Sequence, residues 1–360
     1  MNRSIGIAVV AAVVVGTLTL TAGADWTVVR LHSDQTVDSV GYGVQGGQQI
    51  GFALVGGTMN ASLWSGSAGS WVNLNPPGST YSMAFGVHGG HQVGFARVGT
   101  DFHAGRWSGS AASWVDLNPA GASTSSARGA TDFQQVGYAY VDGMYRASLW
   151  TGSAASWTSL HPVGSTHSEA LGVAGGQQVG FAIVNDVLHA GLWTGSAASW
   201  VDLAPAGATY SKAFGADGGQ QGGEAIIGGG IHAGLWTGSA ASWVDLHPAG
   251  GTSSEVFGVH GGRQVGQVVL GSNYHASLWT GSAASWVDLH AFLPPRYDLS
   301  TARGVWDDGT HIYVVGTGTV AATGLEEALM WVSPIPEPAG GLLLLTALSA
   351  LPLLRRRRNW

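Results

Sequence analysis

The chain has no cysteine, which removes disulfide staples, thiolate nucleophiles and soft-metal ligation at once. Charge is scarce too: only 10% of its 360 residues are charged, and Lys212 is the only lysine. No P-loop, dinucleotide-binding glycine fingerprint, nucleophile elbow, HExxH pair or DxDxDG calcium loop occurs in it. Nucleotide, hydride, acyl-transfer and metal chemistry lack their usual carriers, and neither a cofactor nor a metal is expected. What is present is ample material for a core: 45% of residues are apolar and 16 are tryptophan, which argues against disorder.

That material repeats every 43 residues. LWSGSAGSWVNLNP begins at Leu63 and returns, slightly varied, at Arg106, Leu149, Leu192, Leu235 and Leu278, with no insertion between copies. In the copy from Ser168 to Ala206, Glu169–Val173 is short and apolar, and Ala174-Gly175-Gly176 signals a turn. Gln178–Val184 alternates large residues with mainly small ones, the period of a strand whose small side admits a neighbouring sheet. Leu188–Trp193 reads as a third strand and Ser199–Leu203 as a fourth, closed by Pro205. Four short strands per unit make a meander that cannot bury its faces alone, so the units must stack as blades of a propeller.

The second-strand phrase recurs near Gln49, Gln92, Gln135, Gln178, Gln221 and Gln264 and, diverged, at Ile312–Gly316, which predicts seven blades. The last copy has a third strand at Glu327–Trp331 but no fourth, while Asp25–His32 resembles a fourth strand without a blade. The expected architecture is all-β: a seven-bladed β-propeller over residues 25–333, its N-terminal strand completing the last blade and leaving no open edge. An open solenoid would leave both deficits unexplained.

Residues 1–24 read as a signal peptide, with Arg3, an apolar core over Ile5–Leu20 and cleavage between Ala24 and Asp25. A retained membrane helix is the alternative. At the other end, a linker over residues 334–338 closes on Pro336, Glu337 and Pro338. An apolar helix over residues 339–354 follows, then a basic tail over 355–360 containing Arg355, Arg356, Arg357 and Arg358. That order resembles the PEP-CTERM sorting signal of Gram-negative bacteria. The resemblance implies processing by an exosortase-type membrane protease and delivery to the cell surface or extracellular matrix. A plain stop-transfer helix is the alternative, although 16 residues fall short of the ~20 of an ordinary span. Under either reading the arginines stay cytoplasmic, the helix holds the chain in the inner membrane, and the repeats lie outside. Without Arg3 and the four terminal arginines, 9 basic residues face 21 acidic ones, a net of −12 that would repel nucleic acid.

HAGLW at His189 and His232 and HASLW at His275, followed by a Gly-rich strand, resemble the HAF-type extracellular repeats of bacterial exported proteins. The likeness spans most of residues 36–333, with Gly or Ser in place of the Phe, and implies a location rather than an activity.

Candidate chemistry is thin. The paired tryptophans, seven residues apart, suit a sugar-stacking surface or, better, interblade packing, because they recur in one strand context. His103, His189, His232 and His275 occupy equivalent places that a ring holds apart, and His88 and His91 share a turn with no carboxylate beside them in sequence. The informative irregularity is in the first strand, which borders a propeller's channel. One column there reads Val40, Met83, Ser126, Glu169, Lys212, Glu255, Thr301; two positions on it reads Tyr42, Phe85, Arg128, Leu171, Phe214, Phe257, Arg303. Glu169, Lys212 and Glu255 form either a polar channel-mouth site, with Arg128 and Arg303 on the opposite arc, or an interblade ion triad. The expected function is non-catalytic: a structural, adhesive or matrix-binding role, with an extracellular polysaccharide or matrix protein as partner. The alternative is a polysaccharide hydrolase or lyase using Glu169 and Glu255, which requires carboxylates about 5–10 Å apart.

Overall fold

Alternating strands separated by glycine turns fold each of six 43-residue units into one four-stranded antiparallel sheet, and a seventh such sheet joins both ends of the repeat region. The structure, a computed structural model, describes residues 25–335. The expected signal peptide, Pro336–Pro338 motif, sorting helix and arginine tail lie outside the described residues. Among the described residues no helix is long and apolar enough to cross a membrane.

Blade 4 shows the plan, with strands His167–Ala174, Gln177–Val184, Val187–Trp193 and Val201–Asp202. Asn185 and Asp186 make the hairpin turn between the second and third, at φ 50° and 63°, which their short side chains tolerate. The fourth strand is only two residues long, shorter than the sequence suggests. Ala197–Ser199 winds into a 3-10 turn first, with the Trp200 N–H donated to the Ala197 carbonyl at 3.4 Å.

The small side of the second strand has a different cause from the one expected. A Cβ at Gly180 would strike the Glu169 carbonyl of its own sheet, where the register shifts between Ala170 and Gly172. A bulge within the blade, not a neighbouring sheet, excludes a side chain there. The close blade-to-blade approach falls instead on Gly172, where a Cβ would lie 2.6 Å from the Phe214 carbonyl of blade 5.

The seventh blade runs Tyr297–Asp307, His311–Val320, Glu326–Pro334, and then takes Thr27–Arg30 as its outer strand. Val28 pairs with Trp331 and Arg30 with Leu329, so the N-terminal strand closes the ring as the sequence predicts. Glu327 locks the joint. It accepts from Arg30 Nε at 2.9 Å and from the Tyr297 hydroxyl and Arg296 at 2.5 Å. Burial pushes this carboxyl up, but Arg30, Tyr297 and Arg296 together hold it below the usual range.

The first tryptophan of each repeat is core. Trp193 is fully buried against Val136, Ala147, Leu149 and Leu160 of blade 3, and Trp64 reaches Leu31, Ala328 and Met330 across the closure. The second tryptophan is half-buried, and in blade 3 Trp157 Nε1 donates to Ser148 Oγ at 2.9 Å. Where blade 4 has Gly191 instead, the Trp200 ring fills the space a Cβ would need.

A buried serine on each first strand ties blade to blade. Ser168 Oγ accepts the Ala147 N–H at 2.9 Å, and the equivalent Ser39 accepts Ala328 N–H across the closure at 2.9 Å. Each serine then needs an acceptor for its own proton. His161 supplies Nδ1 at 2.7 Å, its tautomer fixed because Nε2 donates to the Ser165 carbonyl at 3.0 Å. His32 and His290 do the same for Ser39 and Ser300, whereas Asn75 Oδ1 serves Ser82 in blade 2. Desolvation lowers the pKa of His32, His161 and His290. The unfolded chain therefore binds more protons as pH falls through about 6.5, so these ties are complete above that pH and weaken below it. Replacing all three by Asn, as blade 2 does naturally, should reduce the stability lost between pH 7.5 and 5. Urea unfolding at both pH values measures this; an unchanged loss would show that the histidines do not set the acid response.

Candidate functional site

The register of the first strands brings one side chain per blade to the axis. All seven residues of the second sequence column, from Tyr42 to Arg303, line a central cavity of about 420 Å³, as do Glu169, Lys212 and Phe181. A second cavity of about 260 Å³ opens further along the same strands, past Val44, Val87 and Val173.

Arg303, Tyr42, Phe85 and Arg128 form a continuous arc over blades 7, 1, 2 and 3. The two rings meet edge to face at 5.0 Å. The Arg128 guanidinium lies 4.3 Å from the Phe85 ring centre and that of Arg303 lies 5.1 Å from Tyr42. Neither arginine forms an ion pair among the described residues, and the Nε of each is buried without a hydrogen-bond partner.

The opposite arc holds the remaining predicted residues. Lys212 stands over Phe181 at 4.7 Å, with Phe214 at 5.5 Å and Tyr210 at 5.9 Å. It is in ion-pair contact with neither Glu169 nor Glu255, so these three do not form an interblade ion triad. Glu169 pairs instead with His167 at 3.0 Å. Glu255 lies outside the cavity lining and accepts from Gln267 Nε2 at 3.0 Å, while Gln267 Oε1 accepts from Thr301 at 2.8 Å. Burial pushes the Glu255 carboxyl up.

Sequence reasoning missed Glu224, which lies opposite Lys212 in the register of blade 5 and is 6% exposed. Its Oε1 accepts the Tyr210 hydroxyl at 3.0 Å. Burial and the charge of Glu255 push it up to about 7, against the pull of Tyr210 and Lys212. The signal was available: the same column holds Phe52, Phe95, Tyr138 and Phe181, so a carboxylate there breaks the repeat.

Apart from His167, which meets Glu169, the histidines stand off the lining of this cavity. His103, His189 and His232 each pair through Nδ1 with Asp116, Asp202 and Asp245 at 2.7 Å, and His275 with Asp288 at 2.9 Å. His88 does have a carboxylate neighbour, contrary to its sequence surroundings: Asp132 of the next blade lies 3.2 Å away. Among the described residues no cluster of three or more His, Asp or Glu side chains is arranged to hold a metal.

Seven four-stranded sheets around an axial cavity define a seven-bladed β-propeller. No family model matches the sequence, and no curated protein matches it. The chain is similar in structure to an oligogalacturonate lyase in complex with manganese, at 11% identity over 88% of this chain and 95% of that one, TM-score 0.54. It is also similar to the β-propeller domain of the Trilobed protease from Pyrococcus furiosus, at 7% identity over 84% and 97%, TM-score 0.52. The acylaminoacyl peptidase of Pyrococcus horikoshii matches at 9% identity over 85% of this chain and 54% of that one, TM-score 0.53. Identities this low establish the fold alone.

Proposed function

We propose that the chain is an exported, surface-displayed propeller with a non-catalytic structural, adhesive or matrix-binding role. One observation carries this: the groups suited to nucleophilic or acid–base work are consumed by the repeat. The blade-joining serines accept backbone N–H groups and are buried, the third-strand histidines His103, His189, His232 and His275 are bonded to Asp, and the axial cavity of about 420 Å³ contains no Ser, Thr or His in its lining.

The sequence ends support export and sorting, with Pro336–Pro338 and Arg355–Arg358 read by an exosortase-type protease. The intact mass of the exported protein should correspond to a chain running from Asp25 to near Pro338. A species retaining Trp360 in the inner membrane would mean that the segment is only an anchor. Replacing the four arginines with neutral residues should impair processing.

Glu224, buried and pushed up to about 7 with the charge of Glu255 contributing, favours a second reading, a polysaccharide hydrolase or lyase with a carboxyl group poised for acid–base work. A polysaccharide-degradation screen separates the two. Turnover abolished by Glu224→Gln, Glu255→Gln or Glu169→Gln would replace the non-catalytic role.

A further inference from the structure

We propose that the axial cavity binds an acidic oligosaccharide, a short chain of uronate sugars, through Arg128, Arg303 and Lys212. This deepens the binding role above by naming the ligand class, and it rests on that role.

Without Arg3 and the four terminal arginines the chain carries a net −12, yet its axial cavity presents three cations and a single carboxylate, Glu169, which His167 already engages. Concentrating like charge at an axis opposes folding, and a buried guanidinium nitrogen without a partner adds a desolvation penalty. Arg128 and Arg303 each hold one such nitrogen closed off in the wall, and both side chains line the one cavity without an ion pair among the described residues. An anion in that cavity would offset the repulsion among the three cations.

The spacing selects the kind of anion. The cations sit on blades 3, 5 and 7, spread around the ring, which suits several anionic groups along one ligand better than a single compact phosphate. A ligand with several separated carboxylates can. Between the cations the wall is aromatic, with Tyr42, Phe85, Phe214 and Phe257, which offers rings to the C–H faces of sugars. A cavity of about 420 Å³ lies within the ~300–1,000 Å³ of ordinary ligand sites.

Calorimetric titration of the purified full-length protein with a linear trigalacturonate is the test, alongside a neutral trisaccharide, inorganic phosphate and a triglutamate peptide. Trigalacturonate should bind at least tenfold tighter than each of the other three and weaken in 0.5 M salt. Arg128→Gln and Arg303→Gln should each weaken it by tenfold or more while melting as the parent does. If either variant misfolds, Lys212→Gln and the salt dependence of the parent decide. No uronate binding, equal binding of the neutral sugar, phosphate or peptide, or indifference to salt and to the charge substitutions would overturn the assignment. These readouts do not involve turnover or sorting, so they fail independently of the non-catalytic role.

Discussion

Deleting residues 25–32 should open the ring and cost about 3 kcal/mol or more, chiefly from loss of the buried Leu31 and of the strand it belongs to. Glu327 loses Arg30 but keeps Arg296 and the Tyr297 hydroxyl, so its charge stays partly compensated and adds only modestly to that cost. The deletion also bares the Glu326–Pro334 strand, whose N–H and C=O groups would then seek another chain. Thermal unfolding followed alongside light scattering checks both effects. A monomer melting within a few degrees of the parent would show that blade 7 holds without its N-terminal strand.

Replacing Glu224 with Gln should stabilise the protein at alkaline pH and leave it unchanged in acid. A carboxyl raised from 4.5 to about 7 makes the folded state bind more protons in that window. The penalty is absent near pH 4, grows as pH rises through the window, and is complete above it. At pH 8.5 the gain should be roughly 3 kcal/mol, the energy equivalent of that rise. Glutamine still accepts the Tyr210 hydroxyl, so the contact geometry survives. Urea unfolding at pH 4 and 8.5 gives the two differences, and equal values would show that the carboxylate carries no burial penalty. This response has the opposite sign to that of His32, His161 and His290, so the parent's pH profile contains both and the variants separate them.

The repeat made most of the fold legible. A 43-residue period, unbroken through six copies and diverged in the seventh, located every blade, and the missing fourth strand of the last copy pointed to Asp25–His32 as its complement. The same period aligned the axial column correctly, because inner strands in identical register must present equivalent residues to the axis. What failed was whatever depends on contacts between distant residues. His88 meets Asp132, 44 positions away, and Lys212 prefers aromatic faces to the carboxylates that flank it on the neighbouring blades. Ser199–Leu203 has the composition of a strand, yet its start is used by the 3-10 turn before Trp200. Glu224 was missed because attention followed the first strand, while the break in pattern lies in the second.

Closure by Thr27–Arg30 also fixes an order of events. Arg30 and Glu327 are 297 positions apart, so the strand of the ring made earliest is joined to the blade made latest. In any vectorial delivery, from a ribosome or through a membrane pore, the leading strand waits unpaired until six other blades have emerged. Throughout that interval the nascent molecule has a free edge at each end, and near-identical units elsewhere in the chain offer wrong mates of almost the right shape. The ion-paired Glu327, absent from the other six copies, marks the correct mate and so acts as an address label for the final step of assembly.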